Sequence, residues 1–205
     1  MKSGPFSDIH KIWQGVTGIY KKNKKAQKPT FWADLLALIL ITTIGGLMHF
    51  TWEKVEGISA LRWTAVLFPV NESNWEHVKM AAWPLLIWSL IVLARDGWMK
   101  IRGWLMPAAL CICSAYAVMF TVHAAMPLAF GELGLVQYVG SFMLGIAHGI
   151  MAFRVSYRSS SAGAWWFIGL LLLAAMFAMV IAFTYYPPRM PLFMESSTGM
   201  YGIID

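Results

Sequence analysis

The sequence from residue 163 to residue 185 reads GAWWFIGLLLLAAMFAMVIAFTY and contains no charged side chain. A helix of about 20 apolar residues crosses the ~30 Å hydrocarbon core of a bilayer. Four further apolar segments precede it, with approximate limits 31–50, 78–94, 104–123 and 133–153. The sequence therefore predicts an all-α integral membrane protein with about five transmembrane helices.

The composition of the chain points the same way. Of its 205 residues, 59% are hydrophobic and 13% are charged, and the mean hydropathy is +0.60. A soluble domain carries about 25% charged residues. The net charge of +6 comes largely from lysines that precede the first apolar segment. We interpret this charge as a site for anionic lipid and not for nucleic acid.

Residues 1–30 form a basic segment that holds seven of the sixteen Lys and Arg residues. Within it, the apolar side chains of residues 5–22 recur every three or four positions, which favours an amphipathic helix lying in the membrane interface. A partly ordered tail is the alternative. We predict that this segment lies on the cytoplasmic side.

The basic residues predict the orientation of the helices. With a cytoplasmic N-terminus, twelve of the sixteen Lys and Arg residues fall on the cytoplasmic side, and seven of the ten acidic residues fall on the other. That distribution follows the positive-inside rule. We therefore expect a bundle over 31–185 with its C-terminus outside, an outer loop over 51–72, and a tail over 186–205 that packs on the outer end.

Most of the remaining polar side chains cluster at the predicted outer ends of the first two helices. His49 and Glu53 follow the first apolar segment, and residues 69–79, PVNESNWEHVK, introduce the second. Ionisable groups near a bilayer usually pair or mark a site. Imidazole and carboxylate are ligands for Zn, Mn or Fe. We predict a divalent metal held by members of one set: His49, Glu53, Glu72, Glu76 and His77. A metal-free cluster of hydrogen bonds and ion pairs is the alternative.

Ser73 has two interpretations. In a capping box, its hydroxyl accepts the Glu76 amide while the Glu76 carboxylate accepts the Ser73 amide. In a serine hydrolase, Ser73 is the nucleophile, His77 the base, and Glu53 or Glu72 the orienting acid. The catalytic candidates are therefore Glu76, His77 and Ser73, and the ligand-binding candidates are Asn71, Glu72 and Lys79.

Other residues of the apolar segments have structural or secondary interpretations. Gln137, Ser141 and His148 share one helix face that must look into the bundle. His123 is better placed than His148 to reach the outer cluster. The cysteines at 111 and 113 point to different faces, so they are not expected to form a disulfide. Five glycines predict close helix packing: Gly45, Gly46, Gly140, Gly145 and Gly149.

Two stretches resemble a family of bacterial multi-pass membrane proteins of unknown function. The first is the motif Pro-Val-Asn-Glu-Ser-x-Trp-Glu-His-x-Lys over 69–79, together with His49. The second is the tail, with Pro-Pro at 187–188, Pro-Leu-Phe at 191–193 and Gly-x-Tyr-Gly at 199–202. The resemblance implies a bacterial cytoplasmic membrane and a shared site, and it implies no reaction.

Two functional hypotheses follow. The first is a small-ligand or metal site on the outer face, in a metal-dependent membrane enzyme acting on a lipid or lipid-linked substrate. The second is a non-enzymatic membrane protein, such as a transporter or channel subunit or a scaffold, in which the motif is a structural clasp. The sequence names no protein partner.

Overall fold

A computed structural model describes residues 31–131, 134–159, 165–195 and 197–203. The basic segment over 1–30, with its predicted interfacial helix, lies outside the described residues. Within the described ranges, the regular structure is helical, apart from one isolated bridge between Met194 and Tyr201 in the tail.

Five long helices carry the apolar segments of the sequence. They are α1 (Phe31–His49), α2 (Val78–Asp96), α3 (Ile101–Phe130), α4 (Leu135–Ser159) and α5 (Trp165–Tyr185). Among the described residues, each of these five segments is long and apolar enough to cross a membrane. The all-α prediction is thereby confirmed, and α3 and α4 extend beyond their predicted limits. Hydropathy marks the apolar part of a helix, whereas backbone hydrogen bonding continues past it.

The helix α2 lies at the centre of the core. More than half of its residues are buried, including Val78, Ala81 and Leu85, none of which is exposed to solvent. By contrast, α1 buries only a narrow stripe consisting of Ala37, Ile41 and Gly45. The remaining faces of α1 are apolar and exposed, as expected for a surface that faces lipid.

Glycine and proline together set the distance between α1 and α2. Pro84 lies inside α2 and has no N–H to donate to the Met80 carbonyl one turn earlier. A Cβ atom on Gly45 would lie 2.7 Å from that carbonyl oxygen, so only glycine fits there. The predicted packing role is confirmed for Gly45 and, against α3, for Gly145 and Gly149.

The other two glycines of that prediction do not meet close neighbours. A Cβ atom on Gly46 would meet nothing within 4 Å, and one on Gly140 would make only an ordinary contact with Met126. The prediction of close packing is therefore wrong for both. The cysteine prediction is correct, because Cys111 is buried, Cys113 is exposed and both are free.

The segment between α1 and α2 has little regular structure, and a few of its side chains are buried together. It contains a helical turn (Trp52–Val55) and a 3₁₀ helix (Ser59–Val66), and Trp52, Ala65 and Val70 form a small buried cluster. Two shorter 3₁₀ helices follow along the chain, one between α2 and α3 (Trp98–Lys100) and one in the tail after α5 (Pro191–Phe193).

Contacts from the tail position the motif. The Trp75 amide donates to the Leu192 carbonyl at 3.0 Å. The Trp75 ring also packs against Phe193 with ring centroids 5.0 Å apart. The Asn71 side chain donates to the Gly202 carbonyl at 2.7 Å. The tail therefore fixes the backbone from which Glu72 and His77 project.

Candidate functional site: a histidine–glutamate cluster

Three ionisable side chains meet where α1 ends and α2 begins. His49 is the last residue of α1, His77 immediately precedes α2, and Glu72 lies in the segment between them. The Glu72 carboxylate is 3.3 Å from His49 Nε2 and 3.5 Å from His77 Nε2. One potential ligand atom from each residue lies within 4.8 Å of the others. We call these three residues the His–Glu cluster.

The two histidine rings of the cluster are stacked. Their centroids are 5.3 Å apart and their planes differ by 28°. Both rings therefore present Nε2 to the same carboxylate. Two imidazolium ions stacked in this way would repel each other, so the arrangement favours at least one neutral ring.

Hydrogen bonding indicates the tautomer of His77. Its Nδ1 lies 2.8 Å from the Ser73 carbonyl oxygen, which only accepts, so Nδ1 carries the proton. Burial of the ring lowers the pKa of His77, against the opposing influence of the Ser73 carbonyl and the Glu72 carboxylate. At neutral pH the ring is therefore neutral, and its Nε2 lone pair faces Glu72. A histidine that ligates a metal is commonly held this way, through a hydrogen bond at its other nitrogen.

A cavity of about 350 Å³ opens beside the cluster. Its polar end contains the cluster together with Asn74, His123 and Tyr138. Its other walls are mainly apolar, although Thr42 and Ser141 add two hydroxyl groups. The apolar residues include Phe50, which directly follows α1, and Met119, Phe120, Leu135, Val139 and Phe142 from α3 and α4. The His–Glu cluster thus borders a space large enough for part of a small molecule.

Glu76 and Lys79 form a separate, buried pair. The Lys79 ammonium lies 2.5 Å from the Glu76 carboxylate and also donates to the Ala65 carbonyl at 2.8 Å and the Phe68 carbonyl at 3.3 Å. The Val70 amide donates to the same carboxylate oxygen at 2.9 Å. Lys79 is 0% exposed and Glu76 is 2% exposed. This pair fastens the segment 65–70 to the start of α2, and the structure places neither side chain in the His–Glu cluster.

Burial is the main influence on the titration of Glu76. It raises the pKa of this carboxyl, while the Lys79 ammonium and the Val70 amide act in the opposite direction. The interactions of the carboxylate with Lys79 and Val70 therefore offset part of the cost of removing the two charges from water. The two charges are paired with each other, and neither residue lines the cavity, so neither is placed to contact a ligand there.

The structure confirms one half of the predicted capping box. The Glu76 amide donates to the Ser73 hydroxyl at 3.3 Å. The other half is wrong, because the Glu76 carboxylate is held by Lys79 and Val70, and the Ser73 amide donates to the Asn71 side chain at 2.8 Å. The bond from Lys79 to the Glu76 carboxylate is charge-assisted and therefore stronger than one from the neutral Ser73 amide would be.

The predicted nucleophile–base pair is not assembled. The Ser73 side chain is buried, and the His77 ring contacts the Ser73 carbonyl and not its hydroxyl. Asn71 is likewise committed to the backbone, as donor to Gly202 and acceptor from Ser73. Both residues shape the segment that carries Glu72.

Glu53 lies apart from the cluster. Since α1 ends at His49 and Glu53 belongs to the separate turn Trp52–Val55, the two residues do not share one continuous helix. The Glu53 side chain is exposed and is not among the grouped ligand atoms. The expectation of a shared helix face is therefore wrong for this pair.

Two residues of α3 and α4 complete the polar end of the cavity. His123 lines it as expected, whereas His148 does not. Tyr138, which the sequence reasoning missed, packs against His123 with centroids 4.6 Å apart and against His77 at 6.1 Å. The sequence pointed towards Tyr138 only through its neighbour Gln137, which was predicted to face the bundle. In the structure, the Gln137 amide donates to the His123 carbonyl at 2.9 Å.

Comparison with known protein families gives a match over most of the chain. A family model described as "Family of unknown function (DUF6512)" matches residues 20–203. No curated protein and no solved structure matches the chain. The matched range includes the His–Glu cluster, the buried pair and the tail.

Proposed function

The chain belongs to this family of unknown function, and we propose from its geometry that it is a membrane protein that binds a divalent metal ion at His49, Glu72 and His77. Two imidazole nitrogens and one carboxylate form the ligand set of many catalytic zinc sites, in which a fourth position stays open for water or substrate. The cavity bordered by His49, Glu72 and His77 would leave room for such a fourth ligand.

One observation supports this proposal above the others. With its proton on Nδ1, neutral His77 presents a lone pair at Nε2 to a carboxylate oxygen 3.5 Å away. Two acceptors that face each other repel, and a proton or a metal ion between them removes that repulsion. Ligand atoms about 2.1 Å from a tetrahedral metal lie roughly 3.4 Å apart. Each histidine Nε2 lies at about that distance from one of the two Glu72 oxygens, and one ligand atom from each residue lies within 4.8 Å of the others.

The membrane setting rests on the five apolar helices and on the charge distribution. We place the basic segment over 1–30 in the cytoplasm and the His–Glu cluster on the extracytoplasmic side of a bacterial cytoplasmic membrane. In that orientation, the cluster lies at the interface, where the lipid head groups are.

We further propose that the protein is a metal-dependent enzyme acting on a lipid or lipid-linked substrate. A divalent ion at such a site polarises a bound oxygen or lowers the pKa of bound water. The chain itself contributes the apolar walls that exclude water, and His123 and Tyr138 as side chains able to exchange a proton with a bound ligand.

Metal analysis of the purified protein tests the proposal. We expect about one Zn, Mn or Fe ion per chain after dialysis, and we expect His77→Ala and Glu72→Gln to lose it, because a metal needs all three ligands. His148→Ala is the matched histidine control, and Glu53→Gln is the matched carboxylate control; both should retain the metal. If wild-type protein supplied with each metal retains none, the proposal is wrong.

The alternative function is a non-enzymatic clasp in a transporter or channel subunit or a scaffold. It is favoured by the fact that Glu72 contacts His49 from α1 and His77 at the start of α2, so a protonated histidine alone would tie the helices together. In that case His77→Ala lowers the unfolding temperature although no metal is ever present. The metal proposal instead predicts that added zinc raises the unfolding temperature of the wild type and of the two control variants, but not of His77→Ala.

A further inference from the structure

We infer that the ligand of the cavity is a single-chain amphiphile with an oxyanionic head, such as a fatty acid. This inference rests on the metal site proposed above and names the class of molecule that the site receives. It is carried by three properties of the cavity, namely its polarity, its size and its charge.

The polarity of the cavity changes from one end to the other. Glu72 and His77 mark the polar end, and Phe120, Val139 and Phe142 belong to the apolar walls. A ligand that is polar throughout would leave its polar groups unpaired against those walls, at a cost of about 1–3 kcal/mol for each group. An amphiphile matches both ends, with its head at the cluster and its chain along α3 and α4.

The size of the cavity limits what it encloses. Its volume of about 350 Å³ is roughly twelve times the ~30 Å³ share of one water molecule in the liquid. That space holds a small head and the first part of one chain, and it is too small to enclose both chains of a diacyl lipid.

The rest of the chain has an exit towards lipid. Leu135 at the start of α4 is 77% exposed, and Phe50, which directly follows α1, is 61% exposed; both border the cavity. A long chain would therefore leave the cavity sideways, into the hydrocarbon region, without crossing a polar surface.

The charge of the cavity selects the head group. Among the described residues that line it, Glu72 carries the only carboxylate and none is a lysine or arginine. Without a metal, the cluster repels an anion. A divalent ion bound by Glu72 and two neutral imidazoles leaves a net charge of about +1, which attracts an oxyanion. Binding of the anionic head therefore depends on the metal.

Gly46 provides a way to fill the cavity without disturbing the helix packing. It lines the cavity, and a Cβ atom there would meet nothing within 4 Å. Gly46→Leu therefore occupies the space of the ligand chain. Gly140→Leu is the matched control, since Gly140 is absent from the cavity lining and has open surroundings apart from Met126.

Photo-crosslinking tests the inference. The probe is a medium-chain fatty acid with a diazirine in its chain, presented to the zinc-loaded protein in nanodiscs, and the matching fatty alcohol is the head-group control. We expect saturable labelling of α3 and α4 at Met119, Phe120 and Val139. Labelling should fall at least tenfold in Gly46→Leu and after chelation, stay unchanged in Gly140→Leu, and be weak with the alcohol.

The outcomes separate the two proposals. If zinc is bound but labelling spreads without saturation over exposed residues such as Leu171, or is equal for acid and alcohol, the ligand assignment is wrong and the metal site stands. If metal analysis finds no ion, the metal site is wrong, and the anionic assignment that rests on it fails as well.

Discussion

Replacing Lys79 by methionine would leave the Glu76 carboxylate buried without its cation. Breaking a buried ion pair by removing one partner costs about 3–5 kcal/mol. The substitution also strips the Ala65 and Phe68 carbonyls of the donor that they share. We therefore expect Lys79→Met to lower the free energy of unfolding by about 3–5 kcal/mol at neutral pH. Denaturant unfolding in micelles, followed by circular dichroism, measures this loss.

A double-mutant cycle isolates the interaction between the two charges. Glu76→Leu combined with Lys79→Met removes both of them, and we expect the double variant to be more stable than Lys79→Met alone. The coupling energy should be roughly 1–3 kcal/mol, as for residues in direct contact. Lys54→Met, at an exposed lysine, is the control and should stay within about 0.5 kcal/mol of the wild type.

The pH dependence provides a second check on Lys79→Met. Without the ammonium, burial keeps the pKa of Glu76 above the ordinary value of 4.5. The folded state then holds a proton that the unfolded state releases. Its contribution to stability is fully present below pH 4.5 and is lost as the pH rises through the folded-state pKa. The reasoning is refuted if Lys79→Met costs less than about 1 kcal/mol at neutral pH, or if the deficit relative to the double variant does not shrink in acid.

Three further predictions follow from single contacts. Gly45→Ala should destabilise the protein by about 1–3 kcal/mol in thermal unfolding, because its Cβ would collide with the Met80 carbonyl, whereas Gly46→Ala should be neutral or slightly stabilising. Zinc titrations should show binding that weakens only below pH 6.5, the ordinary pKa of histidine. Burial lowers the pKa of His77, so protons compete with zinc for this ring only at a lower pH. Asn71→Ala should speed limited proteolysis of the tail, because it removes a 2.7 Å hydrogen bond to a tail carbonyl; equal cleavage rates would contradict that role.

The helices were predictable from the sequence because each carries its own signal. A long run such as residues 165–185 fits only a buried or lipid-facing helix, whatever its neighbours are. The ends were less predictable. The break after His49 depends on where the chain turns towards Trp52, and neither hydropathy nor spacing encodes that turn, so Glu53 was kept among the candidate metal ligands.

The candidate site was predictable in part, for a related reason. His49 and His77 flank a single connection, so the ends of their helices had to lie close together once the segments were known. The partners of Lys79 were not predictable, because the Ala65 and Phe68 carbonyls reach it only through the fold of the connection. A separation of three residues is compatible with an ion pair between Glu76 and Lys79. It does not indicate that this pair keeps both side chains away from the His–Glu cluster.

The hydrogen bond between Asn71 and the Gly202 carbonyl has a consequence for biogenesis. It joins positions 131 residues apart in the chain, so the segment that carries Glu72 stays unfastened until the ribosome has delivered the tail and the tail has reached the same end of the bundle. α1 and α2 are synthesised long before that point. The His–Glu cluster therefore gains this support only late in synthesis, and a chain halted before Gly202 would lack it.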